Sequence, residues 1–195
     1  MSGEQLRLFV AVELGDAALR ALGQLQPALR EHGLGLPALR WVRPEGVHLT
    51  LKFLGGVDSS RRPEIERALG EAVGGVAPHE LALGRLGTFG SKGAPRVLWV
   101  DLDGDVDALR GLQLQVEERL APLGFPAESR RFSPHLTLAR VREGAEREVA
   151  GPIAQAIEGV GVPEGRIAVR ELSLMRSQLQ AGGAVYTRLA AFPLG

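Results

Sequence analysis

The sequence predicts an α+β protein made of two β-α-β-α-β lobes that arose by duplication. Two observations carry this. Residues 7–25 (RLFVAVELGDAALRALGQL) and 96–114 (RVLWVDLDGDVDALRGLQL) follow the same plan: Arg, an apolar β-rich run, an acidic-Gly turn, then leucines at helical spacing. Further along, Arg43-x4-His48-Leu49-Thr50-Leu51 is echoed by Arg130-x4-His135-Leu136-Thr137-Leu138. Equivalent residues lie 87 to 90 positions apart (His48 and His135, Arg7 and Arg96, Leu19 and Leu109), so only small loop changes separate the copies. Two copies are too few for a solenoid and indicate a duplicated lobe.

The elements follow in order. In the first copy the apolar run gives a strand over 6–14, and Leu19, Leu22, Leu25 and Leu29 give a helix over 16–31. Pro27 inside that helix is expected to kink or end it. A strand over 47–54, a helix over 60–74 and a strand over 80–89 complete the copy, with Pro63 in the first turn of its helix, where the missing N–H costs little. The second copy reads as strand 96–102, helix 105–121, strand 134–141, helix 146–158 and strand 166–175, with a final strand near 184–192. Asp16 and Asp105 are expected as N-caps. Loops at 33–38, 90–95, 143–146 and 180–184 carry Gly or polar punctuation. No stretch has linker composition, so the two repeats, about 6–89 and 96–192, are expected to form one two-lobed domain over 1–195, with strands free to exchange between the lobes. Alternation of strands with single helices in this order suits lobes of ferredoxin-like type.

Composition narrows the function. There are 23 Lys+Arg against 23 Asp+Glu, so no basic coat or acidic tail marks the chain, although a local basic cleft remains open. Only Lys52 and Lys92 are lysines, an Arg bias read as base composition before function. With no cysteine, a disulfide framework, a thiolate metal site and a thiol nucleophile are all excluded. The first apolar run, Leu8–Val12, is too short for a signal or a membrane span, and a cytoplasmic protein with no membrane partner is expected. Asp101-x-Asp103-Gly104-Asp105 misplaces its glycine for a calcium loop and reads as a strand end with a helix cap. Gly84, Gly87 and Gly90, three apart, say little in a chain with 26 glycines. No phosphate-loop, serine-elbow, zinc-protease or dinucleotide motif occurs.

The two HLTL segments carry the chemistry. On a strand, i and i+2 share a face, so His48 and Thr50 project together, as do His135 and Thr137, while the leucines turn to the core. A single such pair is usually structural; its recurrence on matched strands points to a site. Two imidazoles facing across a groove supply a general acid and a general base near neutral pH. The threonine hydroxyls can donate to non-bridging phosphate oxygens. His32 and His79 read as ordinary surface residues.

These paired HxTx motifs, with the leading R-L-F-V-A-V strand and the stretch R-R-F-S-P-H-L-T-L-A-R, resemble the 2H phosphoesterases, and within them the RNA 2',3'-cyclic phosphodiesterases, also called 2'-5' RNA ligases. The resemblance implies a bilobal, pseudo-twofold fold with antiparallel sheets lining a central cleft. It implies hydrolysis of an RNA 3'-terminal 2',3'-cyclic phosphate to a 2'-phosphomonoester, with no metal or cofactor, and reversible 2'-5' end joining as a weaker activity. His48 then matches the proton donor and His135 the proton acceptor. Thr50, Thr137, Arg130 and Arg140 match phosphate-binding positions. Strand alternation, however, puts Arg140 on the face away from His135 unless a bulge intervenes. Phe53, Phe132 and Tyr186 are candidates for base stacking; for the two phenylalanines core packing is the preferred reading. A monomer acting on the terminal nucleotides of RNA is expected. The alternatives are a non-catalytic RNA-end binder, a metal-dependent phosphoesterase, and a 2H enzyme for small cyclic nucleotides or 2'-5' oligonucleotides.

Overall fold

A computed structural model describes residues 4–91, 93–180 and 183–195; Lys92 and the Ala181-Gly182 part of the 180–184 loop lie outside it. Strand β1 (Gln5–Glu13) is apolar on both faces. Leu6, Leu8, Val10 and Val12 enter the main core, and Phe9 and Ala11 enter a small cluster with Met175 on the opposite face. Helix α1 (Asp16–Leu29) buries Ala18, Leu22, Leu25 and Leu29. It continues two residues past Pro27 before the chain leaves the α-helical path. Leu25 and Leu29 on either side are fully buried, so core contacts hold the last turn in place of the lost hydrogen bond. The chain leaves through a wider turn, Arg30–Leu34, where Gly33 adopts φ 94°. The α1 N-cap is Gly15, and Asp16 is the first helical residue, where its charge still meets the positive helix end.

Next come β2 (Leu39–Trp41), too short to show any periodicity in the sequence, then β3 (His48–Asp58), α2 (Arg62–Ala72) and β4 (His79–Ser91). The second copy supplies β5 (Ala94–Gly104), α3 (Val106–Leu120), β6 (His135–Val141), α4 (Glu146–Gly159), β7 (Arg166–Val169), β8 (Glu171–Gln180) and β9 (Gly183–Pro193). Asp105 is the N-cap of α3, but its carboxylate accepts the Glu80 N–H at 3.1 Å instead of capping the helix.

The strand expected over 166–175 is two strands in two sheets. β7 pairs with β4, whereas β8 pairs with β1 and β9. Its buried residues show why: Ile167 and Val169 keep one parity, Leu172 and Leu174 the other, with Arg170 between them. A single regular strand would send the two pairs to opposite faces.

Every pairing is antiparallel, giving a four-stranded sheet, β3-β1-β8-β9, and a five-stranded sheet, β2-β6-β5-β4-β7. The fold is thus α+β and two-lobed, with each sheet drawing strands from both copies: β2 and β4 cross to the sheet of the second copy, and β8 and β9 to that of the first. One core cluster joins the lobes, and Leu49, Leu51, Leu136 and Leu138 all lie in it, at most 3% exposed. No helix among the described residues is long and apolar enough to cross a membrane.

Candidate active site

His48 and His135 each open a strand, β3 and β6, and these strands touch where the two sheets meet. Each ring is anchored in the same way. His48 Nδ1 lies 3.0 Å from the Gly46 carbonyl, and His135 Nδ1 lies 2.8 Å from that of Ser133. A carbonyl only accepts, so Nδ1 carries a proton in both rings and Nε2 is the nitrogen left for chemistry. Aromatic side chains hold the planes. Phe9 lies 4.6 Å from His48, with the Tyr186 ring edge-on at 4.7 Å; Phe89 stands edge-on to His135 at 4.7 Å, with Trp99 behind at 6.5 Å. Tyr186 is on β9 and His48 on β3, the opposite edges of one sheet, so that sheet curls strongly around the site.

Bulges decide which side chains join them. Along β1, Glu13, Ala11 and Phe9 share a face and lie opposite His48, Thr50 and Phe53. The pairing skips Leu51, so Leu51 and Lys52 are both buried and Phe53 returns to the histidine face. In the second motif Asp101, Trp99 and Val97 lie opposite His135, Thr137 and Arg140, with Leu138 skipped. The parity objection to Arg140 is therefore removed by an extra residue in the strand. Arg140 and Phe53 are equivalents, each five residues after its histidine.

Phe53 is 63% exposed, 6.1 Å from Phe9, and is not a core residue; Phe132 packs against the core. Tyr186 packs on His48 and Phe9. Arg130 lines a neighbouring cavity with Arg96 and Arg147. Arg40, unmarked by the sequence, lies directly across from Arg140. Gly87 also gains a role, because a Cβ there would fall inside the Trp99 ring.

Burial sets the electrostatics. It pushes the His48 pKa down to about 4, opposed by the Gly46 carbonyl and Glu13 and assisted by Arg140. Burial likewise lowers that of His135, opposed by the Ser133 carbonyl and assisted by Arg140. The Arg140 guanidinium thus lowers the pKa of both rings, although less than burial does. Glu13, directly across from His48, is held by the Ser173 hydroxyl at 2.7 Å and by Arg188 at 3.1 Å. Asp101, directly across from His135, instead accepts the Arg85 backbone N–H. The matched histidines thus have unmatched carboxylates. The strand register that reveals Glu13 has no signature in the sequence.

Among the described residues no three His, Asp or Glu side chains converge as metal ligands. The arrangement can bind an anion between two imidazoles and move protons on either side of it.

The family described as LigT like phosphoesterase matches residues 12–99 and again 100–186. The chain is 29% identical to an RNA 2',3'-cyclic phosphodiesterase of Methanothermobacter thermautotrophicus, over 97% of this chain and 100% of that protein. It is 33% identical to one from Archaeoglobus fulgidus, over 96% and 99%. The structure of E. coli LigT complexed with 3'-AMP superposes with a TM-score of 0.73 at 26% identity, covering 98% of this chain and 99% of that one.

Proposed function

Because this chain belongs to the LigT-like phosphoesterase family, a branch of the 2H phosphoesterases, we propose that it hydrolyses the 3'-terminal 2',3'-cyclic phosphate of RNA to a 2'-phosphomonoester. It does so as a cytoplasmic monomer without metal or cofactor. The observation that carries this reading is the pair of matched imidazoles, each with Nδ1 tied to a carbonyl and Nε2 free, sharing the field of Arg140.

The phosphate sits between the two Nε2 atoms. Thr50 and Thr137 donate to its non-bridging oxygens, and Arg140 offsets its charge. Neutral His135 takes a proton from the attacking water as the new P–O bond forms. Protonated His48 gives its proton to the ribose 3'-oxygen as the P–O3' bond breaks, leaving the phosphate on the 2'-oxygen. A 5'-hydroxyl in place of water forms a 2'-5' bond by the same step, and its reversal restores the cyclic phosphate. Burial keeps His48 largely neutral in the free protein; the bound anion and Glu13 favour its imidazolium.

The direct test is product analysis of a short RNA ending in 2',3'-cyclic phosphate. The 2'-phosphate is expected; a 3'-phosphate, or no turnover, overturns the reading. Excess chelator should leave the rate unchanged, since the repeated motifs hold no carboxylate ligand set. Complete loss restored by one divalent ion would make the histidines metal ligands instead.

The pH profile has a worked-out sign. One imidazole must be protonated and the other neutral, and both free-protein values lie below 6.5, that of His48 at about 4. The kcat/KM profile is therefore a bell with both limbs below 6.5, falling as pH rises past the upper one. The kcat limbs move upward, because bound phosphate favours imidazolium. A kcat/KM that climbs steadily from pH 6 to 8 contradicts the assignment.

A further inference from the structure

Beside His135 the five-stranded sheet opens into a cavity of about 900 Å³. Its wall adjoins the histidine site. Phe89, which lines it, touches the His135 ring at 4.7 Å, and Val97, which also lines it, lies directly across from Arg140. Arg96, Arg130 and Arg147 contribute three cations to the lining, and Glu146 one carboxylate. Glu146 reaches Arg96 only at 4.0 Å, and no carboxylate among the described residues lies within ion-pair distance of Arg130 or Arg147. Arg96 is 77% exposed, so its charge faces water. Glu146 and Arg147 form the first turn of the 14-residue α4, which adds the positive end of a helix dipole.

The chain as a whole has no net charge, so this cluster is not one sample of a generally basic surface. Its arginines come from three separated segments: the start of β5, the segment before β6, and the first turn of α4. A cleft lined by one sign of charge next to a reacting phosphate is suited to further phosphates of the same polymer.

We propose that this groove binds the RNA strand immediately 5' of the terminal nucleotide, with Arg96 and Arg147 contacting the phosphodiesters that precede the cyclic phosphate. The inference rests on the cyclic phosphodiesterase reading and deepens it by assigning the path of the strand beyond the terminal nucleotide and the residues that hold it. Arg130 lines the same groove, five residues before His135 in the sequence. The contacts are to the backbone, so they position the strand without reading its bases.

The test compares two substrates, a nucleoside 2',3'-cyclic phosphate and a short RNA carrying the same terminus. The unaltered protein should favour the RNA by about 10-fold or more in kcat/KM. The variant Arg96→Glu/Arg147→Glu should lose that preference through KM while turning over the nucleoside at the original rate, which also shows that it folds. Loss of two single-strand phosphate contacts should flatten the salt dependence of log kcat/KM for the RNA by a slope of about 1.4. An unaltered preference and salt slope in the variant overturn the groove assignment, as do equal rates on both substrates in the unaltered protein. Turnover of the nucleoside in those cases leaves the underlying reading intact. Hydrolysis of neither substrate overturns that reading and this one with it.

Discussion

Alanine at His48 or at His135 is expected to lower hydrolysis of an RNA 2',3'-cyclic phosphate by roughly 10²–10⁴ in rate, the usual range for a positioned acid or base. The matched sequences conceal different jobs, which a change of leaving group separates. A proton donor matters when the departing group is an alkoxide and little when it is a phenolate. A proton acceptor matters whenever water must be deprotonated. An activated diester with a phenolic leaving group should therefore rescue His48→Ala far more than His135→Ala. The double variant should fall little below the worse single one, because groups acting in one step are not additive. Equal rescue contradicts the role assignment, and rescue of His135→Ala alone reverses it. Near-normal turnover by either variant would reduce the paired HLTL segments to a structural repeat.

The largest effect on stability is expected at Lys52. The bulge at Leu51 turns this side chain into the protein, where it is 3% exposed. Its ammonium donates to the Glu117 carboxylate and, at 2.8 Å, to the Pro126 carbonyl. Gln113 donates to the other Glu117 oxygen at 3.0 Å. This network ties β3 to α3 and to the segment that leads into His135. Lys52→Met removes one partner and leaves Glu117 charged and buried, which should cost about 3–5 kcal/mol. For a chain of this size that corresponds to a fall in Tm of roughly 10 °C. Lys52→Met/Glu117→Leu removes both charges and should recover most of the loss. A single variant within about 1 kcal/mol of the original would show that water or rearrangement satisfies Glu117, and that the pair contributes little.

Much of this was legible in the sequence because it depends on relations within one element. Leucines at helical spacing reported α1 and α3, and the alternation His-Leu-Thr-Leu reported which side chains leave the core together. The duplication turned two commonplace HLTL segments into one candidate site, since matched strands in matched lobes present matched faces. Even the split at Arg170 left a trace, in the change of parity between Val169 and Leu172.

What the tertiary structure alone decided concerns relations between elements. A bulge moves every later side chain to the other face, and its position is set by the partner strand's register; so Arg140 and Phe53 share the face of their histidines against simple alternation. Glu13 lies across from His48, and Arg96 and Arg147 line one cavity with Arg130, only because strands and turns distant in sequence pack together. Periodicity records which face of an element is buried, because burial is a property of that element's own side chains. It does not record what lies across from that face, because pairing is chosen by the whole chain when the core closes.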